Sequence, residues 1–218
     1  MHAWKPIARS LCVLSALAGC ASQPTSRELK EMPGAVYHAP LGNYTAIVPP
    51  LLGPGIRQSE SAAGDGSSES VAFSDDFGTL LDIRAWRMPV DDLLPPFATQ
   101  VRADQLDAFV DRRVLPALLG RSGAVVHREL VATAAGKALF LVVSLPGGSA
   151  RVLHDAGGRP YHPDVIRGML VFPQLRWAYT VADQQWPPTP NQPALTPADR
   201  NGLLLSDLRQ TVARMTFD

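Results

Sequence analysis

Apolar residues recur along this chain with two periods. In Val71-Ala72-Phe73-Ser74, and again at Leu81, Ile83 and Ala85, every second position is apolar, the spacing that lines one face of a strand. Asp75-Asp76-Phe77-Gly78 lies between them and supplies turn residues, so this stretch, through Trp86, predicts a hairpin. Ala124 to Ala132 and Lys137 to Leu145 flank Thr133-Ala134-Ala135-Gly136 in the same way. The second of these runs, KALFLVVSL, is apolar enough for a central strand. A third hairpin is predicted from Gly168 to Ala182 around Pro173-Gln174, with Leu175, Trp177, Tyr179 and Val181 as a core-facing stripe. Arg151-Val152-Leu153 is expected to continue the sheet before Asp155-Ala156-Gly157-Gly158-Arg159 turns.

The period lengthens to three or four in two segments. Leu106, Phe109, Val110 and Val114 predict a helix over Asp104 to Leu119, with Pro116 expected to end it near Val114 and Leu115. Leu204, Leu208 and Val212 predict a second helix from Pro197, for which Thr196 is the N-cap and Pro197 the first helical residue. Val36 to Val48 reads as an edge strand or a packed arm, and Pro49 to Ser70 as a flexible loop rich in Gly, Ser and Asp. The Trp186-Pro187-Pro188-Thr189-Pro190 segment reads either as a local cover or as an extended docking surface. The element order gives an α+β fold, a predominantly antiparallel sheet packed with two principal helices, for which an α/β/α sandwich is one arrangement.

The amino end carries a different pattern. Lys5 and Arg9 precede a short apolar run from Leu11 to Ala18, the order of an export signal, and the run is too short to span a bilayer. It closes on Leu17-Ala18-Gly19-Cys20, which resembles the lipobox of bacterial lipoproteins. The resemblance implies diacylglycerol on the Cys20 thiol, cleavage before Cys20 and acylation of the new amino group; an ordinary signal peptide cleaved near Ala18 is the alternative. Two or three acyl chains anchor stably where one does not. Residues 1–19 are then a signal peptide, 20–34 a lipidated tether, and 35–218 a single α+β domain with its flexible loop at about 49–70. Ala21 follows the cysteine in place of the Asp associated with inner-membrane retention. In a cell with two membranes the periplasmic face of the outer membrane is the expected address. The partners expected are thus the membrane, through the lipid, and an envelope protein or other envelope component.

Composition narrows the chemistry. Lys plus Arg and Asp plus Glu are each 20, so no extended basic field is available and no nucleic acid is expected. The only cysteines are Cys12 and Cys20, which leaves the mature domain neither thiol nor disulfide if Cys20 is acylated. His154-Asp155 and His162-Pro163-Asp164 form the one compact His/Asp cluster, with donor atoms suited to zinc or to proton exchange, but their spacing matches no short metal signature. Solvent-facing loop residues are the simpler reading. Pro146-Gly147-Gly148-Ser149 lacks the Gly-Lys-Ser/Thr ending of a phosphate loop, no Gly-x-Ser-x-Gly elbow occurs, and Asp75-Asp76 reads as turn chemistry. Arg112-Arg113, Arg151, Arg159 and Arg167 read as solvated surface.

These residues predict a binding or assembly module without catalysis or cofactor. The alternatives are an envelope hydrolase using His154, Asp155, His162 and Asp164, and a carrier of a small apolar ligand in a pocket lined by Phe140, Trp177 or Tyr179. VAFSDDFGTLLDIRAW before the first helix and GKALFLVVSLPGGS after it resemble the PsbP/Mog1-like architecture over residues 68–215. That resemblance implies a non-enzymatic binding role and transfers no ligand residue.

Overall fold

A computed structural model of the chain describes residues 25–28, 34–48, 55–76, 79–88, 103–119, 122–149, 152–185 and 195–218. The expected signal segment, Cys20, Arg151 and residues 186–190 lie outside the described residues. The strands are β1 (Thr25–Glu28), β2 (Val36–His38), β3 (Tyr44–Ile47), β4 (Arg57–Ala62), β5 (Ser68–Ser74), β6 (Leu80–Arg87), β7 (Ala124–Thr133) and β8 (Gly136–Leu145). They continue with β9 (Leu153–His154), β10 (Pro160–Tyr161), β11 (Val165–Gln174), β12 (Trp177–Gln185) and β13 (Met215–Phe217). The helices are α1 (Ala103–Phe109), which runs through a π-helical turn (Val110–Val114) into α2 (Leu115–Leu119), and α3 (Pro197–Val212).

Among the described residues eight strands form one antiparallel sheet in the order β1-β4-β5-β6-β12-β11-β8-β7, and β13-β3-β2 form a smaller one. The fold is therefore α+β, as the element order predicted. Alternation sorts the large sheet's side chains into two cores. On one face Phe73, Ile83, Phe140, Leu170, Phe172, Tyr179 and Val181 pack with Leu204 and Leu208 of α3 and with Tyr37, Tyr44 and Met215 of the small sheet. On the other, Leu139, Leu141, Val143, Met169 and Val171 pack with Leu106, Phe109, Val110 and Val114 of the α1–α2 rod.

Several expectations need correction. The stretch read as a loop over 49–70 contains β4, whose sequence RQSESA has no apolar alternation; it is held by ladder bonds to β5, from Arg57↔Ser74 to Ala62↔Glu69. Thr25–Glu28, inside the expected tether, pair with β4 as a further strand. The first helix does not stop at Val114: the π turn, closed by Leu115 N–H donating to the Val110 carbonyl, resets the ladder so that Pro116 falls in the first turn of α2, where a missing amide costs little. Leu153 leaves the main sheet to form the separate β9–β10 hairpin.

The β11–β12 turn is Leu175-Arg176, two residues beyond the predicted one. Gln174↔Trp177 closes it, so Pro173↔Ala178 is the pair without mutual hydrogen bonds and the missing proline amide points toward β8. The β11–β8 ladder has already ended at Val171↔Leu139, and the proline breaks nothing. Leu175 sits at the tip with φ +54° and 68% exposure, so the predicted stripe is core only from Tyr179 and Val181, with Trp177 partly covered.

α3 begins as predicted, with Thr196 Oγ1 accepting from Asp199 N at 3.2 Å. It lies so close to β11 that a Cβ on Gly168 would stand 2.9 Å from Leu204 Cβ. Gly168→Val is expected to lower stability by about 1–3 kcal/mol through overpacking, read from urea unfolding. An unchanged midpoint would mean that α3 is not seated there.

Candidate functional site

The His/Asp cluster fastens loops to one another. Asp155 starts the β9–β10 turn: its Oδ1 accepts from Gly157 N and Arg159 N, both at 2.9 Å, and its Oδ2 from Arg159 Nε at 2.9 Å. The Arg159 amide, the Arg159 side chain and the Gly157 amide hold this carboxyl below the usual carboxylate range. Asp164 Oδ1 accepts from Gly147 N at 2.8 Å. His162 Nδ1–H donates to the Ser149 carbonyl at 2.9 Å, and Ser149 N donates to the Pro163 carbonyl at 3.1 Å. Three of the four side chains thus tie the 146–149 turn and the β9–β10 turn in place, while His154 is exposed on β9. Among the described residues no group of three His, Cys, Asp or Glu side chains is placed to hold a metal ion. Asp75 and Asp76 likewise serve their turn, Asp75 Oδ1 accepting from Thr79 N at 2.8 Å and Asp76 pairing with Arg57 at 2.5 Å.

Phe140 and Tyr179 are 0% and 1% exposed within a closed core, so they line no ligand pocket. Polar residues gather instead on the opposite face of the sheet, beneath the α1–α2 rod. β6, β12 and β11 are neighbours there, and their register sets Arg84 opposite Thr180 and Arg167 opposite Gln184. Asp82 and Arg84, two apart on β6, share that face and form a two-pronged pair, Nε–Oδ1 2.9 Å and Nη2–Oδ2 3.1 Å. Arg167 Nη2 donates to Gln184 Oε1 at 2.9 Å. Arg167, read as solvated surface, is therefore largely withdrawn from water, and that burial lowers its pKa, with Asp82 opposing.

Two openings adjoin this cluster, and Trp86 lines both. The inner one is a cavity of about 20 Å³ bounded by Arg84, Trp86, Val114, Arg167, Met169 and Thr180. Trp86 Nε1, Arg167 Nε and Thr180 Oγ1 are buried there without a hydrogen-bond partner. Each unmet buried group costs roughly 1–3 kcal/mol, and the cavity, whose wall is mostly apolar, has room for about one water to offset part of that cost. The outer opening is a cleft of about 330 Å³ lined by Ser67, Ser68, Trp86, Arg87, Phe109, Arg112 and Arg113.

The charges of the rod are sorted between its two sides. Arg128 on β7 takes two of the rod's acids, with Nε and Nη2 on Asp107 Oδ1 at 3.0 and 2.5 Å and Nη1 on Asp111 Oδ1 at 2.7 Å. Arg112 and Arg113 reach the cleft on the other side, where Arg87 joins them. The Arg-Arg pair was visible in the sequence, but its meeting with Arg87 depends on where the rod crosses β6.

The sequence matches no protein-family model and no curated protein. Among solved structures, the fold is similar at a distance to the solution structure of cyanobacterial PsbP from Synechocystis, with 13% identity and a TM-score of 0.44, covering 87% of this chain and 95% of that one. A Bacteroides thetaiotaomicron crystal structure is similar at 9% identity and a TM-score of 0.43, over 86% of this chain; the chain spans 49% of that protein.

Proposed function

We propose that this chain is a lipid-anchored cell-envelope protein whose folded domain binds a partner or ligand without chemically changing it. The observation that carries the reading is the use of Asp155, His162 and Asp164 as loop fasteners, which leaves the best His/Asp candidates occupied by their own turns. No helix among the described residues is long and apolar enough to cross a membrane, and the Leu17-Ala18-Gly19-Cys20 box supplies a different route to one. The partner is an envelope protein or other envelope component, met at the periplasmic face of the outer membrane in a cell that has one.

In a bacterial host, Cys20→Ser is expected to abolish incorporation of labelled palmitate and to move the protein from the membrane to the soluble fraction. Proximity crosslinking of the anchored protein is expected to capture a reproducible envelope partner that an unrelated anchored domain does not. Unchanged labelling and retention in the serine variant would defeat the anchor, and a capture profile equal to the control would defeat the binding role.

A further inference from the structure

We infer that the cleft between Trp86 and Arg87 of β6 and Arg112 and Arg113 of the π turn binds a small organic oxyanion, a phosphate or carboxylate carried on a flat apolar body. The inference rests on the binding role proposed above and gives it a place and a ligand chemistry.

Three guanidinium groups line the cleft with no carboxylate among its lining residues. Two acids of the same rod, Asp107 and Asp111, are held on the far side by Arg128. Asp65, near Ser67, accepts from the Ser67 amide at 2.9 Å and is further held by the Ser67 side chain. Arg112 spends its Nε on the Ala108 carbonyl at 3.1 Å, which leaves its two terminal nitrogens for an incoming group. Arg87 and Arg113 form no ion pair among the described residues. An oxyanion satisfies such planar forks two bonds at a time, and these bonds are charge-assisted.

The remainder of the lining selects for more than charge. Phe109 and Trp86 give apolar walls, the Ser68 hydroxyl adds a neutral donor, and about 330 Å³ accommodates a small molecule rather than a bare ion. Behind Trp86, Arg84 and Arg167 line the inner cavity with Asp82, and Arg167 also feels Asp183, so the inner charges largely offset one another and the attraction for an anion comes from the cleft's own arginines. The three cleft guanidiniums are exposed, so this attraction is screened by salt, and what sets the cleft apart from scattered surface arginines is their convergence beside apolar walls. A phosphate reaching the cleft either belongs to a lipid headgroup or travels on a soluble molecule, and both present the same oxygens.

Phenyl phosphate, titrated into the lipidated full chain in a non-ionic detergent, is the first probe. It is expected to shift the Trp86 indole N–H resonance saturably and to bind more weakly as salt rises. Arg112→Ser/Arg113→Ser, at two exposed positions, is expected to weaken binding tenfold or more with an unchanged thermal midpoint. Vesicles containing phosphatidylglycerol then separate the sources: displacement of phenyl phosphate assigns a headgroup, and retention assigns a soluble ligand, either outcome sustaining the site. No saturable shift at about 10 mM phenyl phosphate, far weaker than a useful site, overturns the inference, as does an equal affinity in the double variant. If that failure occurs while the envelope partner is still captured by crosslinking, only the ligand assignment falls. Loss of both removes the binding role as well.

Discussion

Phe172→Ala is expected to lower the unfolding free energy by about 3–5 kcal/mol, the cost of truncating a large aromatic side chain in a core that cannot close around the gap. Phe172 is 0% exposed. Its ring stacks on Tyr179 with centroids 5.7 Å apart and meets Phe217 edge-on at 5.7 Å. Tyr179 in turn touches Phe217 at 4.9 Å and Tyr44 at 5.6 Å, and its hydroxyl donates to the Asn43 carbonyl at 3.0 Å. These rings join three layers of sequence: the central hairpin, the β2–β3 arm and the last strand of the chain. Their backbones are fixed by separate ladders, so they cannot drift inward to fill the space. For a domain of this size the change corresponds to a fall in midpoint of roughly 6–20 °C. Leu203→Ala, at 48% exposure on α3, is the matched control and should change stability by no more than about 0.5 kcal/mol. A loss below about 1 kcal/mol for Phe172→Ala would mean that the arm and the last strand do not close over this ring.

The same rings show what could be read from the sequence. Alternation identified β5, β6, β8 and much of β11 and β12, because strands buried on at least one face must place apolar groups at every second position or in a continuous run. It missed β4 because Arg57, Gln58, Ser59, Glu60, Ser61 and Ala62 have little apolar surface to bury. That strand is specified by its neighbour, through backbone bonds that any sequence can make. The proline rule failed twice for one reason: Pro116 and Pro173 both stand where the local ladder asks for no amide, a fact set by the π turn in one case and by where β8 ends in the other.

The polar site was less legible still. His154, Asp155, His162 and Asp164 are neighbours in sequence, but proximity along a chain rich in turns is what loop fastening also requires. Asp82, Arg84, Arg167 and Gln184 come from strands up to about a hundred residues apart, and they meet only because β12 inserts between β6 and β11. No spacing rule contains that strand order. The separable signal was local: Arg84, with Asp82, and Arg167 interrupt largely apolar strands, a placement that costs stability unless a partner is supplied.

Asp183→Asn is expected to stabilise the protein at pH 8 by about 2–4 kcal/mol and to change it little at pH 4. Asp183 lies on β12, where its Oδ1 accepts from Gln184 N at 2.8 Å. Burial dominates its surroundings and pushes its pKa up to about 7, and Asp207 of α3 adds to the rise, against the lowering effects of the Gln184 amide and Arg167. In the unfolded chain the same carboxyl titrates near 3.9. Between these values the folded state keeps a proton that the unfolded state releases, so stability falls as pH climbs from about 4 to about 7 and stays reduced above it. Asp207 and Glu69, both raised by burial, slope in the same direction, so the wild-type profile alone does not isolate Asp183. The difference between wild type and Asp183→Asn does, because asparagine keeps an acceptor for the Gln184 amide and removes only the ionisation. Urea unfolding of both proteins at pH 4 and pH 8 reads that difference directly. Equal gaps at the two pH values would place the Asp183 carboxyl in water, in contact with neither α3 nor the core beneath it.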